Sequence, residues 1–503
     1  MRVLYVCTEL FPLLKTGGLG DVSGALPPAL REAGCDVRVL LPGFPSILEG
    51  VKPPHSATAR TLQLPPGAGP DISPSTSRQP PALRPCTLPG SDLDAYLLDV
   101  PHLFDRPGNP YDDAQGDNGS RFALLGWAAA CLGQGLDADW QPDLVHCHDW
   151  HTGLAPLYLR HMAMPGPPRA ASVFTIHNLA YQGTFPAELF PRLGLPDYLF
   201  GMQGIEFWGQ VSFMKSGLLA ADCITTVSPT YAREIFAVEQ GCGLDGLLRT
   251  RANVVSGILN GVDYAIWDPA CDPALGHHYG ADTLEGKPLA KADLQRRMGL
   301  TERPGAMVFG VVSRLTEQKG LHLVEALADD LVRAGGQLVV LGTGHAQLEQ
   351  AFVRAASRHP SEISVEVGYD EPMAHVIFGG ADVILVPSRF EPCGLTQLYG
   401  LRYGTVPVVH RVGGLADTVH DASPENLRRG TATGFTFNEF SVPALWHAIT
   451  RALDLHANPQ AWTTMQQTAM RQRFDWRDAA ASYADLYRAL KPASRGHHAQ
   501  PPR

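Results

Sequence analysis

A lysine ahead of paired glycines, in Lys15-Thr16-Gly17-Gly18-Leu19-Gly20-Asp21, lies between the apolar run Val3-Leu4-Tyr5-Val6-Cys7 and a helix-like stretch, Val22 to Arg31. That order puts a flexible loop with one cation at the carboxyl end of a first strand, where open parallel sheets bind ligands. Adjacent glycines let backbone amides close on an anion, and a helix start behind them favours negative charge. The spacing matches neither the three-glycine dinucleotide fingerprint nor the Walker pattern. It reads as an anion loop of another kind, or as a tight turn with a solvated lysine.

Further along, Ser313-Arg314-Leu315-Thr316-Glu317-Gln318-Lys319-Gly320 also joins a strand to a helix. Arg314 offers a bidentate fork and Lys319 a mobile point charge, a pair suited to a diphosphate if they converge and two solvated cations if they do not. Gly342-Thr343-Gly344 is another glycine turn at a strand end, uninformative by itself. The richest stretch is Pro387-Ser388-Arg389-Phe390-Glu391-Pro392-Cys393-Gly394-Leu395-Thr396-Gln397. A helix starting near Gly394 points the amides of Gly394, Leu395 and Thr396 at an anion. Glu391 is then placed for sugar hydroxyls, or else caps the helix.

Two more segments carry chemical side chains. His146-Cys147-His148-Asp149-Trp150-His151 runs from a strand end into a helix start. Period-two alternation turns Cys147 away from His146 and His148, and no second ligand cluster accompanies them, so zinc is disfavoured. An exposed Asp149-Trp150 pair suits a carbohydrate, the indole stacking on a ring and the carboxylate taking a hydroxyl. His177, in Thr175-Ile176-His177-Asn178-Leu179-Ala180-Tyr181-Gln182-Gly183, ends a strand and serves either a core or a site.

The elements that must position these residues alternate regularly. Strand-like runs at 36–41, 95–100, 144–148, 172–177 and 223–227 are interleaved with helical stretches at 122–132 and 153–162. After Asn260-Gly261-Val262-Asp263 a second series begins, with strands at 307–313, 337–341, 364–367, 383–386 and 406–410 and helices at 321–334 and 346–356. Two βαβ series predict an α/β protein of two doubly wound domains facing each other across a cleft. Val51 to Gly90 holds ten prolines and reads as a loop excursion or irregular hairpin. The 503-residue length is ample for two cores, and the net charge of −10 argues against nucleic acid as a partner. Nine scattered cysteines without a Cys-x-x-Cys pair point to a reducing compartment, with the cytoplasm as expected location. No apolar run approaches the length needed to span a membrane.

Taken in order, these motifs resemble one family closely, the bacterial glycogen synthases and plant starch synthases. Leu259-Asn260-Gly261-Val262-Asp263 and Gly413-Gly414-Leu415-Ala416-Asp417-Thr418 belong to the same pattern, and the similarity spans about residues 1 to 491. The resemblance implies a GT-B glycosyltransferase that moves glucose from ADP-glucose to the non-reducing end of an α-1,4-glucan such as glycogen, retaining configuration. It implies an acceptor-side domain over 1–258, a donor-side domain over 259–475, a helix at 476–491 crossing back to the first domain, and a disordered tail at 492–503. Lys15, Gly17, Gly18 and Asp21 then belong to the donor loop, and Arg314 and Lys319 neutralise the leaving diphosphate. Glu391 and Asn260 hold the donor sugar, Asn178 also binds the donor, Gly394, Leu395 and Thr396 take its phosphates, and Tyr369 lines the adenine pocket. His177 stabilises the oxocarbenium-like sugar, while Tyr111, Asp149 and Trp150 face the acceptor. Neither a metal nor another cofactor is expected. Many retaining relatives place a second glutamate eight residues after the first, where this chain has Tyr399. That departure implies a same-face displacement without an enzymic nucleophile. A UDP-glucose-dependent transferase, a phosphorylase and a non-catalytic glucan-binding module are the competing readings, and oligomeric state is not legible.

Overall fold

The computed structural model describes residues 1–56, 60–65, 69–71, 81–106, 108–161 and 169–490. The tail expected to be disordered, 492–503, lies outside them, as do 57–59, 66–68 and 72–80 of the proline-rich excursion. Two compact units emerge. One is built from Met1–Val227, Ala232–Ile258 and the helix Trp476–Leu490, the other from Ser228–Tyr231 and Leu259–Asp475.

The first unit carries strands β1 (Arg2–Val6), β2 (Asp36–Pro42), β3 (Leu62–Gln63), β4 (Ala82–Thr87), β5 (Asp94–Asp99), β6 (Leu144–His148), β7 (Ala171–Ile176), β8 (Thr184–Pro186), β9 (Glu206–Phe207), β10 (Gln210–Ser212), β11 (Cys223–Thr226) and β12 (Val255–Gly257). The main sheet has the order β12-β11-β7-β6-β1-β2-β5-β4-β3. From β12 to β5 all pairs are parallel. Helices cover both faces of such a sheet, which is why Val3 to Val6 form an unbroken apolar run with no exposure. The excursion supplies β3 and β4 as an antiparallel extension. β3 pairs only with Ala82 and Leu83, so Pro85 lies where β4 has a free edge and needs no donor.

Chain order runs outward from β1 through β2 to β5, then returns to the other side of β1 with β6. The loops leaving β1 and β6 therefore diverge and open a crevice at the strand ends. The first helix begins earlier than the sequence suggests, at Gly18, and extends to Glu32. It packs against Trp476–Leu490, whose buried Trp476, Ala480, Tyr483, Ala484 and Tyr487 form one stripe at helical spacing.

The second unit holds β13 (Val308–Val312), β14 (Gln337–Gly342), β15 (Ile363–Val367), β16 (Val383–Val386), β17 (Val406–His410) and β18 (Phe435–Phe437). They form one parallel sheet in the order β15-β14-β13-β16-β17-β18. Alternation splits its side chains between two cores, with Phe309, Val311, Leu338, Val340 and Leu385 in one and Val308, Val339, Leu341, Ile384 and Val386 in the other. Strand order reverses between β13 and β16, so this unit too has one switch point. The single helix expected over 321–334 is two, Leu321–Ala326 and Ala328–Arg333. Leu327 leaves helical dihedrals between them (φ −99°, ψ 0°) as its side chain enters the core.

Candidate active site

At the end of β1 the loop is organised around a residue that sequence reasoning missed. Glu9, 3% exposed, accepts the backbone N–H groups of Thr16 at 2.6 Å and Gly17 at 3.2 Å and the Thr16 hydroxyl at 2.7 Å. The Tyr111 hydroxyl donates to the same carboxylate at 2.5 Å and lies 2.9 Å from the Thr8 hydroxyl. Glu9 thus folds the Lys15–Gly18 loop around itself. Lys15 turns toward the first turn of the helix, its Nζ 2.8 Å from Asp21 Oδ1. The available signal was an acid three residues beyond the apolar run Val3 to Val6.

At the end of β6 the structure corrects the expectation of an exposed acid. Asp149 is buried, with a left-handed φ of +60°. Its Oδ1 accepts the backbone N–H groups of His177 at 3.2 Å and Asn178 at 3.4 Å, fastening the loop after β7 to the loop after β6. Burial pushes the Asp149 carboxyl up to about 7 despite those donors. Trp150 is half-buried, edge-on to Phe122 with ring centroids 5.1 Å apart. Tyr111 stacks on His151 at 4.4 Å beside it.

His146 and His148 share one face of β6, ring centroids 4.0 Å apart, as the alternation requires. They serve side chains rather than a metal. His148 Nδ1 and His177 Nε2 share a hydrogen bond of 2.9 Å. His146 meets the Thr175 hydroxyl at 2.6 Å through Nε2 and the Tyr487 hydroxyl at 2.7 Å through Nδ1. Burial lowers His146 and His177 to about 3, and drives His148 and His151 well below the usual range. His177 is therefore a neutral ring near pH 7, able to orient a dipole without adding a cation. Among the described residues no group of His, Cys, Asp and Glu is arranged to hold a metal. Two Asp-x-Asp triplets exist, but Asp92 pairs with Lys52, Asp94 with Arg38, and Asp137 with Arg38 and the Tyr96 hydroxyl.

In the second unit the two chemical stretches leave the strands on either side of the switch point. The loop after β13 carries Arg314, which is exposed, and Lys319; the loop after β16 carries Glu391. Arg389 N–H donates to the Gln318 carbonyl at 2.8 Å, zipping the loops together. Gly320 makes this approach possible: its φ is +67°, and a Cβ there would collide with the Pro387 carbonyl. Lys319 Nζ consequently reaches Glu391 Oε2 at 2.6 Å, and the Ser388 hydroxyl donates to the same oxygen at 2.8 Å. Glu391 does not cap the helix, which starts at Thr396 without a side-chain cap, two residues beyond Gly394. Gly394 has φ +75° and Leu395 precedes the first turn.

Other members of this cluster came from the fold. His410 Nδ1 lies 2.8 Å from the Ser388 carbonyl, and Gly414 N–H donates to the Glu391 carbonyl at 3.1 Å. Asn260 is buried, with its backbone N–H against the Cys393 thiol. Tyr369 is 70% exposed and its hydroxyl bonds Glu371. Tyr399 stacks on Trp267 at 3.8 Å in the core, so no carboxylate occupies the position eight residues after Glu391.

Two Rossmann-like units, the second with a cation–carboxylate pair at its switch point, are the fold of the GT-B glycosyltransferases. Residues 2–250 match the family described as "Starch synthase catalytic domain", and residues 297–467 the family "Glycosyl transferases group 1". Glycogen synthase of Albidiferax ferrireducens is 56% identical over 98% of this chain and 100% of its own. That of Francisella tularensis subsp. novicida is 51% identical over 97% and 99%. Among solved structures, the catalytic domain of starch synthase IV from Arabidopsis thaliana, bound to ADP and acarbose, matches with a TM-score of 0.87 at 30% identity. That match covers 97% of this chain and 99% of the other. Sucrose-phosphate synthase from Thermosynechococcus elongatus, with a TM-score of 0.58 at 18% identity over 97% and 98%, shares the fold. The chain belongs to the glycogen synthase family.

Proposed function

We propose that this protein transfers glucose from ADP-glucose to the non-reducing end of an α-1,4-glucan with retention of configuration. The observation that carries the reading is the Lys319–Glu391 pair, delivered to one point by the two loops of the second unit's switch point. A binding module has no use for a cation aimed at a leaving group. Lys319 and Ser388 both bind Glu391 Oε2, which leaves Oε1 to accept a donor-sugar hydroxyl. As the diphosphate departs, Lys319 and Arg314 offset its developing charge, together with the backbone N–H groups of Gly394, Leu395 and Thr396. Asn260 holds the donor sugar, Asn178 also binds the donor, and Tyr369 covers the adenine. Lys15, Gly17, Gly18 and Asp21 form the donor loop, which Glu9 holds in shape.

His177, neutral and fixed by Asp149 and His148, lends its backbone and ring dipole to the oxocarbenium-like sugar. Tyr111 and Trp150 contact the acceptor, with Asp149 setting the turn beside them. The C1–O bond to the diphosphate breaks while a C1–O bond to the acceptor hydroxyl forms on the same face, and the hydroxyl proton passes to the departing phosphate oxygen. A covalent glucosyl adduct on any carboxylate would exclude this route. In this reading residues 1–258 are the acceptor side and also carry the donor loop and Asn178, and residues 259–475 are the donor side. The nine cysteines are all free thiols, which supports a cytoplasmic setting. None of the described helices is long and apolar enough to cross a membrane.

The test is glucose incorporation into glycogen from ADP-glucose and from UDP-glucose, each with EDTA present. Transfer from ADP-glucose that survives EDTA is expected. Transfer from UDP-glucose alone would replace the nucleotide, and loss with EDTA would require a metal.

A further inference from the structure

On the three-stranded side sheet, a large apolar side chain stands in solvent on a left-handed turn. β9 and β10 form a hairpin with Phe207 opposite Gln210, closed by Trp208 and Gly209. Their φ values are +54° and +79°. A two-residue hairpin loop of this geometry favours Asn, Asp or Gly at its first position, because a Cβ is crowded there. Here that position holds a tryptophan whose indole is 83% exposed. The fold buries little of it.

The turn is nonetheless braced. Lys215, buried beneath it, donates to the Met202 carbonyl at 2.9 Å and the Glu206 carbonyl at 2.5 Å. Glu206 Oε1 accepts the Gly209 N–H at 2.7 Å. A second left-handed turn, Cys242-Gly243, abuts the indole, and Gln182 donates to the Cys242 carbonyl at 2.8 Å. The side sheet β8-β10-β9 ties this turn to Trp150. Gly183, just before β8, has φ +54°, and a Cβ there would strike the Trp150 indole. Phe185 of β8 packs on Trp150 at 5.9 Å and pairs with Val211 of β10. From Gly183 to Trp208 the path is about five residue steps, roughly 17 Å.

We propose that Trp208 is an outlying platform for the acceptor glucan, stacking on the chain several glucosyl units from the end being extended. The inference rests on the function proposed above. Its occupant follows from continuity with Trp150 and from the chemistry alongside: an indole for the C–H face of a sugar, and the amide of the exposed Gln210 for hydroxyls.

Trp208→Ala and Trp208→Tyr are compared with the unaltered protein using ADP-glucose and either glycogen or maltotriose. Donor-free affinity for glycogen is read by retardation in glycogen-containing gels, and size by sedimentation. The Ala variant is expected to raise KM for glycogen about three- to tenfold and to lose retardation, with kcat and the maltotriose KM unchanged; Tyr restores both. Three results would overturn the platform: an unchanged glycogen KM and retardation, equal losses on both acceptors that Tyr does not repair, or a change of oligomeric state accompanying the loss. If the unaltered protein transfers nothing to either acceptor yet loses retardation on Trp208→Ala, the proposed reaction fails while the glucan surface stands.

Discussion

Lys319 and Glu391 hold each other at 2.6 Å with the Ser388 hydroxyl as third partner, all within one loop cluster. A carboxylate buried to 6% exposure needs such partners, since an ionised group without them carries a large desolvation cost. The pair also stores a cation beside the place assigned to the diphosphate. Replacing Lys319 by Ala is expected to lower kcat roughly 10²-fold, because its charge acts on a group that becomes more anionic in the transition state. Steady-state kinetics with glycogen saturating checks this. An unchanged kcat would remove Lys319 from the chemistry.

Among the elements, the helix Trp476–Leu490 does more than cover the first unit. Tyr487 is fully buried and its hydroxyl pairs with His146 Nδ1, whose other nitrogen binds Thr175. Tyr487→Phe keeps the packing and leaves that buried nitrogen without its partner. The expected loss is about 1–3 kcal/mol, seen as a lower urea midpoint at unchanged m-value. A midpoint equal to that of the unaltered protein would mean that water or another group replaces the hydroxyl. The same histidine lies against His148, which bonds His177, so the last helix of the chain buttresses a proposed site residue from behind.

Over the whole molecule, the buried titratable groups give stability a definite pH dependence. His146 and His177 titrate near 3 in the folded chain, and His148 and His151 also lie below their usual value. As pH falls below about 6.5 the unfolded chain takes up these protons first, so acid favours unfolding. Asp149 works the other way: its carboxyl is raised to about 7 from an ordinary 3.8, so protonation through that interval favours the folded state. Several imidazoles outweigh one carboxyl. The melting temperature is therefore expected to fall between about pH 7 and pH 5, as differential scanning calorimetry would show. A flat or rising profile would mean that the imidazoles accept protons without unfolding.

The sequence by itself determined the two βαβ series, the glycine loops at their strand ends and the order of the motifs. These are local properties, because apolar runs, glycine spacing and cation placement are written within a few neighbouring residues. It could not reveal that Asp149 is a buried fastener rather than an exposed ligand, nor that Glu9, Ser388 and His410 belong to the loop clusters. Lys319 and Glu391 stand 72 positions apart, and Tyr487 and His146 stand 341 apart. Only strand order and the packing of the last helix bring such pairs within hydrogen-bonding distance. Once a polar group is buried it must find a partner, and the tertiary structure decided which one.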